Sequence, residues 1–315
     1  MKAIITGISG QDGFYLSKLL LEKNYEVYGF TRSDLINNHL SLSDKINILG
    51  VDYSNFNALK LNIDKICPDV IYHLASDVNP NFDADPSSSI DVNLNITISI
   101  LEILKISNNK FKLFVASTSL IFGPNAKSPQ NENTIMDPDT PYGICKLASL
   151  NFCKMYRKAY GLFISTGILY NHESILRNEK YIIRKITKQA AKIYLKKANN
   201  IVLGNIDIKR DWGFAGDFVE AFELILNNDF PDDYIIGTGE LYSIRDVLNY
   251  VFEKINCDYN DYLLQDKSFI RKLEHNNLQA DITKIKKELG WYPKKHLYSI
   301  LDEMLENDIK ILRDE

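Results

Sequence analysis

Short apolar runs alternate with stretches of helical periodicity through the first half of the chain. Ala3-Ile4-Ile5-Thr6 is a continuous apolar run and predicts a strand buried on both faces. From Phe14 to Leu21 the apolar positions recur at helical spacing, which predicts an amphipathic helix soon after that strand. Similar runs predict strands near 26–30, 46–49, 70–74, 111–117 and 163–168, with helices in the gaps, notably 86–107 and 142–160. Such alternation predicts an α/β fold, a Rossmann-type doubly wound parallel sheet. The pattern loosens after about residue 170. Segments 171–205, 207–227 and 240–313 read as a smaller, mostly helical lobe, interleaved with strands near 207–239 that return to the first domain. The expected division is a sheet domain over 1–170 and a second lobe over 171–315. No internal repeat or low-complexity linker interrupts it.

The junction between the first strand and helix carries the first chemical signal. Gly7-Ile8-Ser9-Gly10-Gln11-Asp12-Gly13 has the spacing G-x-x-G-x-x-G. Gly7 permits a tight turn, Gly10 lets the backbone approach a pyrophosphate, and Gly13 lets the helix pack close to the strand. Placed between a strand and a helix, this motif predicts a dinucleotide site, with Gln11 and Asp12 in the loop that faces it. At the end of the second strand the chain reads Thr31-Arg32-Ser33-Asp34. Arg32 and Ser33 suit a ribose 2′-phosphate and favour NADP(H), while Asp34 keeps NAD(H) possible. Asp52 follows the third strand, placed to touch an adenine edge or to cap a turn. Leu74-Ala75-Ser76 follows the fourth, at the carboxyl edge where such sheets bind ligands.

A second signal lies in Pro141-Tyr142-Gly143-Ile144-Cys145-Lys146, read with Ser117-Thr118-Ser119. Tyr142 and Lys146 are four apart and share a helix face. A fixed ammonium beside a phenol favours the phenolate, so Lys146 is expected to lower the Tyr142 pKa. Thr118, from a strand end, would hold the reacting oxygen against that phenol. Thr140 suits an N-cap and Pro141 the first helical position, which puts Tyr142 in the first turn, at the mouth of the site.

Composition narrows the class. The chain has 315 residues, 45% hydrophobic and 25% charged, with a formal net charge of -4. Nothing suggests a nucleic-acid surface, and no apolar run approaches a membrane span. Cys67, Cys145, Cys153 and Cys257 lack metal-ligand spacing, so no metal is expected. With the first strand starting at residue 3 and no sign of a leader, the expectation is a cytoplasmic enzyme with reduced thiols.

Gly7 to Gly13, Ser117 to Ser119, Tyr142 and Lys146 together resemble the extended short-chain dehydrogenase/reductase superfamily, whose members modify nucleotide sugars. The resemblance narrows to the GDP-mannose 4,6-dehydratases over nearly the whole length. It rests on Thr6 to Gly13, Tyr170-Asn171-His172-Glu173-Ser174, Arg184-Lys185-Ile186-Thr187, Leu203 to Asp207, Lys209-Arg210-Asp211-Trp212-Gly213, Gly237-Thr238-Gly239-Glu240 and Leu289-Gly290-Trp291. The resemblance implies that Asn171, Lys185, Arg210, Arg271 and Glu274 line a nucleotide-sugar pocket. Arg271 and Glu274 stand in Arg-Lys-Leu-Glu, where relatives carry Arg-Pro-x-Glu. Cations here, Arg184 among them, suit the two phosphates of a GDP-sugar.

One departure redirects the expectation. The family reads Ser-Thr-Ser-Glu-x-Tyr-Gly, whereas this chain reads Ser117-Thr118-Ser119-Leu120-Ile121-Phe122-Gly123. Leu120 occupies the place of the catalytic glutamate, which in the family moves the C5 proton and assists loss of water. Oxidation or reduction at C4 needs only Thr118, Tyr142, Lys146 and the nicotinamide. The reading is an NADP(H)-dependent oxidoreductase that reduces a GDP-linked 4-keto-6-deoxy hexose or heptose. Alternatives are a 4,6-dehydratase with a displaced acid/base, a 4-epimerase or 4-dehydrogenase, and an inactive GDP-sugar-binding regulatory subunit. Asp77 is the first candidate for a displaced acid/base; otherwise it would bind a substrate hydroxyl or cap a turn. The resemblance also implies a homodimer or homotetramer paired through helices 86–107 and 142–160.

Overall fold

The structure is a computed structural model and describes residues 1–31, 43–79, 84–266 and 277–314. Its strands in chain order are β1 (Lys2–Thr6), β2 (Glu26–Thr31), β3 (Asn47–Gly50), β4 (Val70–His73), β5 (Lys112–Thr118), β6 (Ile164–Leu169), β7 (Asn171–Glu173), β8 (Ile201–Leu203), β9 (Lys209–Arg210), β10 (Trp212–Phe214), β11 (Asp233–Ile236), β12 (Tyr242–Ser243) and β13 (Leu263–Gln265). The α-helices are α1 (Gln11–Glu22), α2 (Phe56–Ile66), α3 (Pro86–Ile90), α4 (Ile96–Ile106), α5 (Pro141–Tyr160), α6 (Ile182–Tyr194), α7 (Ala215–Asn227), α8 (Ile244–Lys254), α9 (Thr283–Leu289) and α10 (Leu297–Asp314). A π-wound segment, Asp91–Asn95, joins α3 to α4.

Seven strands form the main sheet in the order β3-β2-β1-β4-β5-β6-β11. All its pairings are parallel. Strand order reverses between β1 and β4, where an open α/β sheet has its ligand crevice. Of the strands read from sequence, all six are present with bounds shifted by at most two residues. Their legibility follows from burial: β1, β4 and β6 are covered by helices on both faces, so apolar residues run on rather than alternate.

Local signals place the helices. Asp85 caps α3 by accepting from the amides of Ser87 and Ser88 at 3.1 and 3.3 Å, and Pro86 takes the first helical position. Thr140 does the same for α5, accepting from Gly143 N at 3.1 Å. At the other end of α5, Gly161 adopts φ 63°, a left-handed C-cap.

Apolar packing divides differently from chain order. One face of the sheet packs α1 and α7, with Phe114 of β5 stacked on Phe222 of α7 at a centroid distance of 4.5 Å. The same cluster takes in Ile285 of α9 and Trp291. The opposite face packs α2, α4 and α5. A separate cluster gathers α6, α8 and α10 with β8 and Trp212. Thus β11, α7 and α9, from the second half of the chain, complete the first core. Truncating Phe222 to Ala would cost about 3–5 kcal/mol, the usual loss for a buried aromatic.

Candidate active site

The turn after β1 is shaped by sterics. Gly7 has φ 75°, and a Cβ there would come within 2.9 Å of Ala75 N. At Gly13 a Cβ would meet the carbonyl oxygens of Gly7 and Ile8 at 2.6 Å. Gly10, the N-cap of α1, has only one such neighbour, Gly7 O at 3.3 Å, so the fold itself makes little demand for glycine there. Room at Gly10, in front of a helix N-terminus, fits close approach by a phosphate.

Thr6 joins this turn to the end of β4. Its hydroxyl accepts from the amides of Leu74 and Ala75 at 3.2 and 3.1 Å. The hydroxyl proton is left for Nδ1 of His73, 2.8 Å away. Burial, aided by the charge of Lys146, pushes the His73 pKa down to about 3. A neutral imidazole thus locks the two strand ends that flank the crevice.

Gln11 and Asp12 reach across to β7. Gln11 Nε2 donates to the His172 carbonyl at 3.1 Å, and Ser174 Oγ donates to Gln11 Oε1 at 2.8 Å. Both Asp12 carboxylate oxygens lie 3.0 Å from His172 Nε2. His172 Nδ1 faces the Tyr170 carbonyl at 2.8 Å, so each ring nitrogen has a partner. Burial works to raise the Asp12 carboxyl, but His172, Arg177 and Gln11 together hold it below its ordinary value.

Thr118, Tyr142 and Lys146 come together where β5 ends against the start of α5. The hydroxyls of Ser76 and Thr118 are close enough to the Tyr142 phenol to work toward lowering its pKa. Thr118 Oγ1 also accepts from Leu120 N at 3.3 Å. Lys146 Nζ donates to the Ala116 carbonyl at 2.9 Å and lies 5.9 Å from the Tyr142 ring centroid. Two expectations need correction. Tyr142 is in the first helical turn, yet it is only 6% exposed rather than at an open mouth. Its pKa is not lowered by Lys146: burial pushes it up to about 12, against the hydroxyls of Ser76 and Thr118. Burial also brings Lys146 down to about 8. Helical spacing places the two groups on one face, but the loss of water around both outweighs their mutual effect.

The remaining predicted residues are spread more widely. Asp52 is exposed and accepts from the amide and hydroxyl of Ser54 at 2.9 and 2.6 Å, capping the turn before α2. Asp77 is exposed after β4, its backbone held by the side chain of Asn93. Asn171 opens β7, in register with Trp212 of β10. Lys185 Nζ donates to the Val202 carbonyl at 2.8 Å, tying α6 to β8. Arg184 is not a surface cation: it pairs with Asp308 of α10 at 2.8 Å in the second core. Arg210 lines a cleft of about 510 Å³ with Lys209, Asn205, Asp207, Asn277 and the 125–128 loop. Thr118, Tyr142 and Lys146 are not part of its wall. Arg32, Ser33, Asp34, Arg271 and Glu274 lie outside the described residues.

Several residues at the site were not singled out from sequence. Arg177 stacks its guanidinium 3.6 Å over the Tyr181 ring and pairs with buried Glu173 at 3.3 Å. Both Arg177 and Tyr181 lie within electrostatic reach of Tyr142. Glu173 is raised above the ordinary carboxyl range by burial, against Arg177 and His172. His172 and Glu173 stood inside a quoted motif, while Arg177 and Asn93 carried no sequence signal. Among the described residues no group of three metal-ligating side chains converges, and no helix is long and apolar enough to cross a membrane.

Comparison with known proteins gives the family. The chain matches the family described as GDP-mannose 4,6 dehydratase over residues 4–304. GDP-mannose 4,6 dehydratase 1 of Arabidopsis thaliana is 36% identical over 334 residues, spanning 99% of this chain and 91% of that protein. GDP-mannose 4,6 dehydratase of Homo sapiens is also 36% identical, over 343 residues, 99% of this chain and 92% of that protein. The chain belongs to the GDP-mannose 4,6-dehydratase family. Its fold extends further: the UDP-glucose 4-epimerase of Thermotoga maritima, solved with UDP-glucose, superposes with a TM-score of 0.88 at 21% identity, over 99% of this chain and 100% of that one.

For a member of the GDP-mannose 4,6-dehydratase family, the surroundings of Leu120 are apolar. Leu120 packs with Leu147 against a cluster that includes Ile121, Phe122 and Leu150. Its carbonyl oxygen would lie 3.0 Å from a Cβ at Gly143, so its backbone is pressed against the start of α5. Thr118, Tyr142 and Lys146 thus bring a hydroxyl, a phenol and an amine to the strand end, while the Leu120 side chain joins an apolar cluster.

Proposed function

We propose that the chain is an NADP(H)-dependent oxidoreductase acting at C4 of a GDP-linked sugar, reducing a 4-keto-6-deoxy hexose or heptose. The observation that carries the reading is Leu120, seated on an apolar cluster next to an intact Thr118, Tyr142 and Lys146. Elimination of water across C5 and C6 needs a group that moves a proton, worth roughly 10²–10⁴-fold. Reduction at C4 needs no such group.

The glycine turn and the open side of Gly10 fit a nicotinamide dinucleotide, which when bound supplies the hydride to C4. Tyr142, protonated because burial holds its pKa near 12, gives its proton to the C4 oxygen. Thr118 hydrogen-bonds that same oxygen as negative charge develops on it. Lys146, brought down to about 8, is poised to return a proton toward Tyr142 near neutral pH. The ketone becomes an alcohol, having gained one hydride and one proton. Arg210 and Lys185 serve the diphosphate, with Asn171 and Asp77 toward the sugar. Arg271, Glu274, Arg32 and Ser33 are assigned from the family resemblance and the chain sequence.

A second reading keeps the dehydratase activity and moves the acid/base to Asp77. The exposed Asp77 carboxylate lies within electrostatic reach of Tyr181, which itself reaches Tyr142, and this gives it a claim. Mass analysis separates the two. GDP-mannose with the enzyme and NADP should remain unchanged, and a GDP-4-keto-6-deoxy sugar with NADPH should gain two hydrogens. Loss of water from GDP-mannose would establish the dehydratase instead.

The family resemblance further supports self-association through α3–α4 and α5. Ile90, Ile106, Ile144, Met155 and Tyr160 on these helices are 41–53% exposed, an apolar set suited to a helix-to-helix dimer.

A further inference from the structure

Gln130 follows the loop that leaves β5 and is wholly buried. Every polar atom it carries has a partner. Its backbone pairs in parallel with the chain at Ala280: Gln130 N donates to the Gln279 carbonyl at 2.9 Å, and the Gln130 carbonyl accepts from Asp281 N at 2.8 Å. In the side chain, Nε2 donates to the Lys127 carbonyl at 2.9 Å and to the Asn277 carbonyl at 3.1 Å. Oε1 accepts from Gln279 N at 2.9 Å and from the Tyr170 hydroxyl at 2.8 Å. These partners fix the amide's orientation, because a flipped amide would set its oxygen against two carbonyls and its nitrogen against an N–H.

Lys127 and Asn277 belong to two different stretches of the wall around the cleft that holds Arg210. A single buried amide therefore ties the 125–128 loop to the chain at Asn277. A third stretch of wall, Lys209 and Arg210, is tied to the same segment by the next residue. Asp211 N donates to the Leu278 carbonyl at 3.2 Å, and Asp211 Oδ2 accepts from Ala280 N at 3.1 Å. Three pieces of chain far apart in sequence thus meet on one short segment, 277–281. The charges of the wall give the class of its ligand. Lys127, Lys209 and Arg210 supply three cations, and the wall's carboxylate, Asp207, is paired with Arg245 at 2.8 Å. Such a cleft, in a chain of formal net charge -4, suits a polyanion such as a diphosphate.

We propose, on the reading that this cleft takes the substrate's diphosphate, that Gln130 is a positioning residue that sets the spacing of the cleft walls and through it the affinity for a nucleoside diphosphate. Gln130 is buried behind the wall and touches no ligand; it acts through the Lys127 and Asn277 carbonyls. Both of those residues are exposed, so carbonyls released from Nε2 would turn to water and carry their stretches of wall apart. The bond from Tyr170 meets the other end of the amide, and Tyr170 is not part of the wall.

The test is calorimetric titration of the full chain with GDP and, separately, with NADPH. Gln130→Met keeps the length of the side chain and removes its polar atoms. It should weaken GDP binding about tenfold, the scale of one or two hydrogen bonds, and leave NADPH binding within about twofold of the wild type. Gln130→Glu keeps Oε1 and loses both Nε2 donors. It should weaken GDP binding at least as much, and it carries the test if the Met variant fails to fold. Tyr170→Phe removes a bond from the same amide without freeing either wall carbonyl, so it should bind GDP as the wild type does. Arg210→Ala checks the cleft itself and should lose GDP affinity. That loss without one in the Gln130 variants would overturn the proposal alone and leave the cleft assignment standing. No loss in Arg210→Ala would remove the cleft assignment and the proposal with it. Equal losses for GDP and NADPH, or a loss in Tyr170→Phe that matches Gln130→Met, would make Gln130 a general brace of the fold and overturn the proposal.

Discussion

The hydroxyl of Thr6 and Nδ1 of His73 meet at 2.8 Å across the gap between β1 and β4. Because Thr6 accepts two backbone amides on its other side, it donates to His73, and the imidazole must stay neutral to accept. Burial enforces this by holding the folded-state pKa near 3 instead of the ordinary 6.5.

Acid stability should therefore depend on His73. Below pH 6.5 the unfolded chain takes up a proton that the folded chain refuses until about pH 3. The contribution is fully present above pH 6.5 and is lost as pH falls, at about 1.4 kcal/mol per unit. Denaturant titrations at pH 7 and pH 4 should show a shallower loss for His73→Asn than for the wild type. Parallel losses in both proteins would sink the assignment. Lys146, near 8 in the fold against an ordinary 10.5, acts with the same sign in a higher window, adding stability as pH rises from about 8 to 10.5.

Leu120 should decide between reduction and elimination. The wild type is expected to give no 4-keto-6-deoxy product from GDP-mannose while reducing a preformed keto-sugar. Leu120→Glu should introduce measurable water loss, a fraction of the roughly 10²–10⁴-fold that an acid/base contributes. Mass spectra of the nucleotide sugars report both activities. Efficient water loss by the wild type would refute the reductase reading.

Arg32→Ala should weaken NADPH binding roughly tenfold to a hundredfold, the loss expected for a charge-assisted contact to phosphate, with little change for NADH. Calorimetric titration with each cofactor is the measurement. Equal weakening for both would remove the 2′-phosphate assignment.

Self-association should be lost when charge is placed on the exposed apolar set of the α4 and α5 helices. Ile106→Asp combined with Ile144→Glu is expected to sediment as a monomer at micromolar concentration, where the wild type sediments as a dimer or tetramer. A monomeric wild type would contradict the proposed pairing.

The sequence exposes what is buried in long runs. β1 through β6 were legible because continuous apolar segments between turns have few alternatives, and α5 because Thr140, Pro141 and Gly161 mark both its ends. The ribbons β7 to β10 run two to three residues each, too short for any period to register. The π turn at Asn93 leaves no compositional trace, since winding is set by tertiary partners such as Ser149 and Asp77. Tyr142 and Lys146 were found by spacing, but spacing says nothing of how dry their surroundings are, so the direction of the Tyr142 shift was misread. Arg184 was grouped with the phosphate cations because a lone charge in a motif does not show its ion-pair partner 124 positions away, Asp308.

The stacking of Phe222 on Phe114, with β11 added beside β6, has a consequence for how such an enzyme can diversify. A chain ending at residue 170 would leave β6 as an open edge and bare the aromatic face of β5, an invitation to aggregation. The second lobe is thus no cassette to be grafted whole from one relative to another, because the chain leaves it to finish the sheet and then goes back. Any change of preference in such a chain has to come by replacement of single side chains, with the returning helix and strand held fixed.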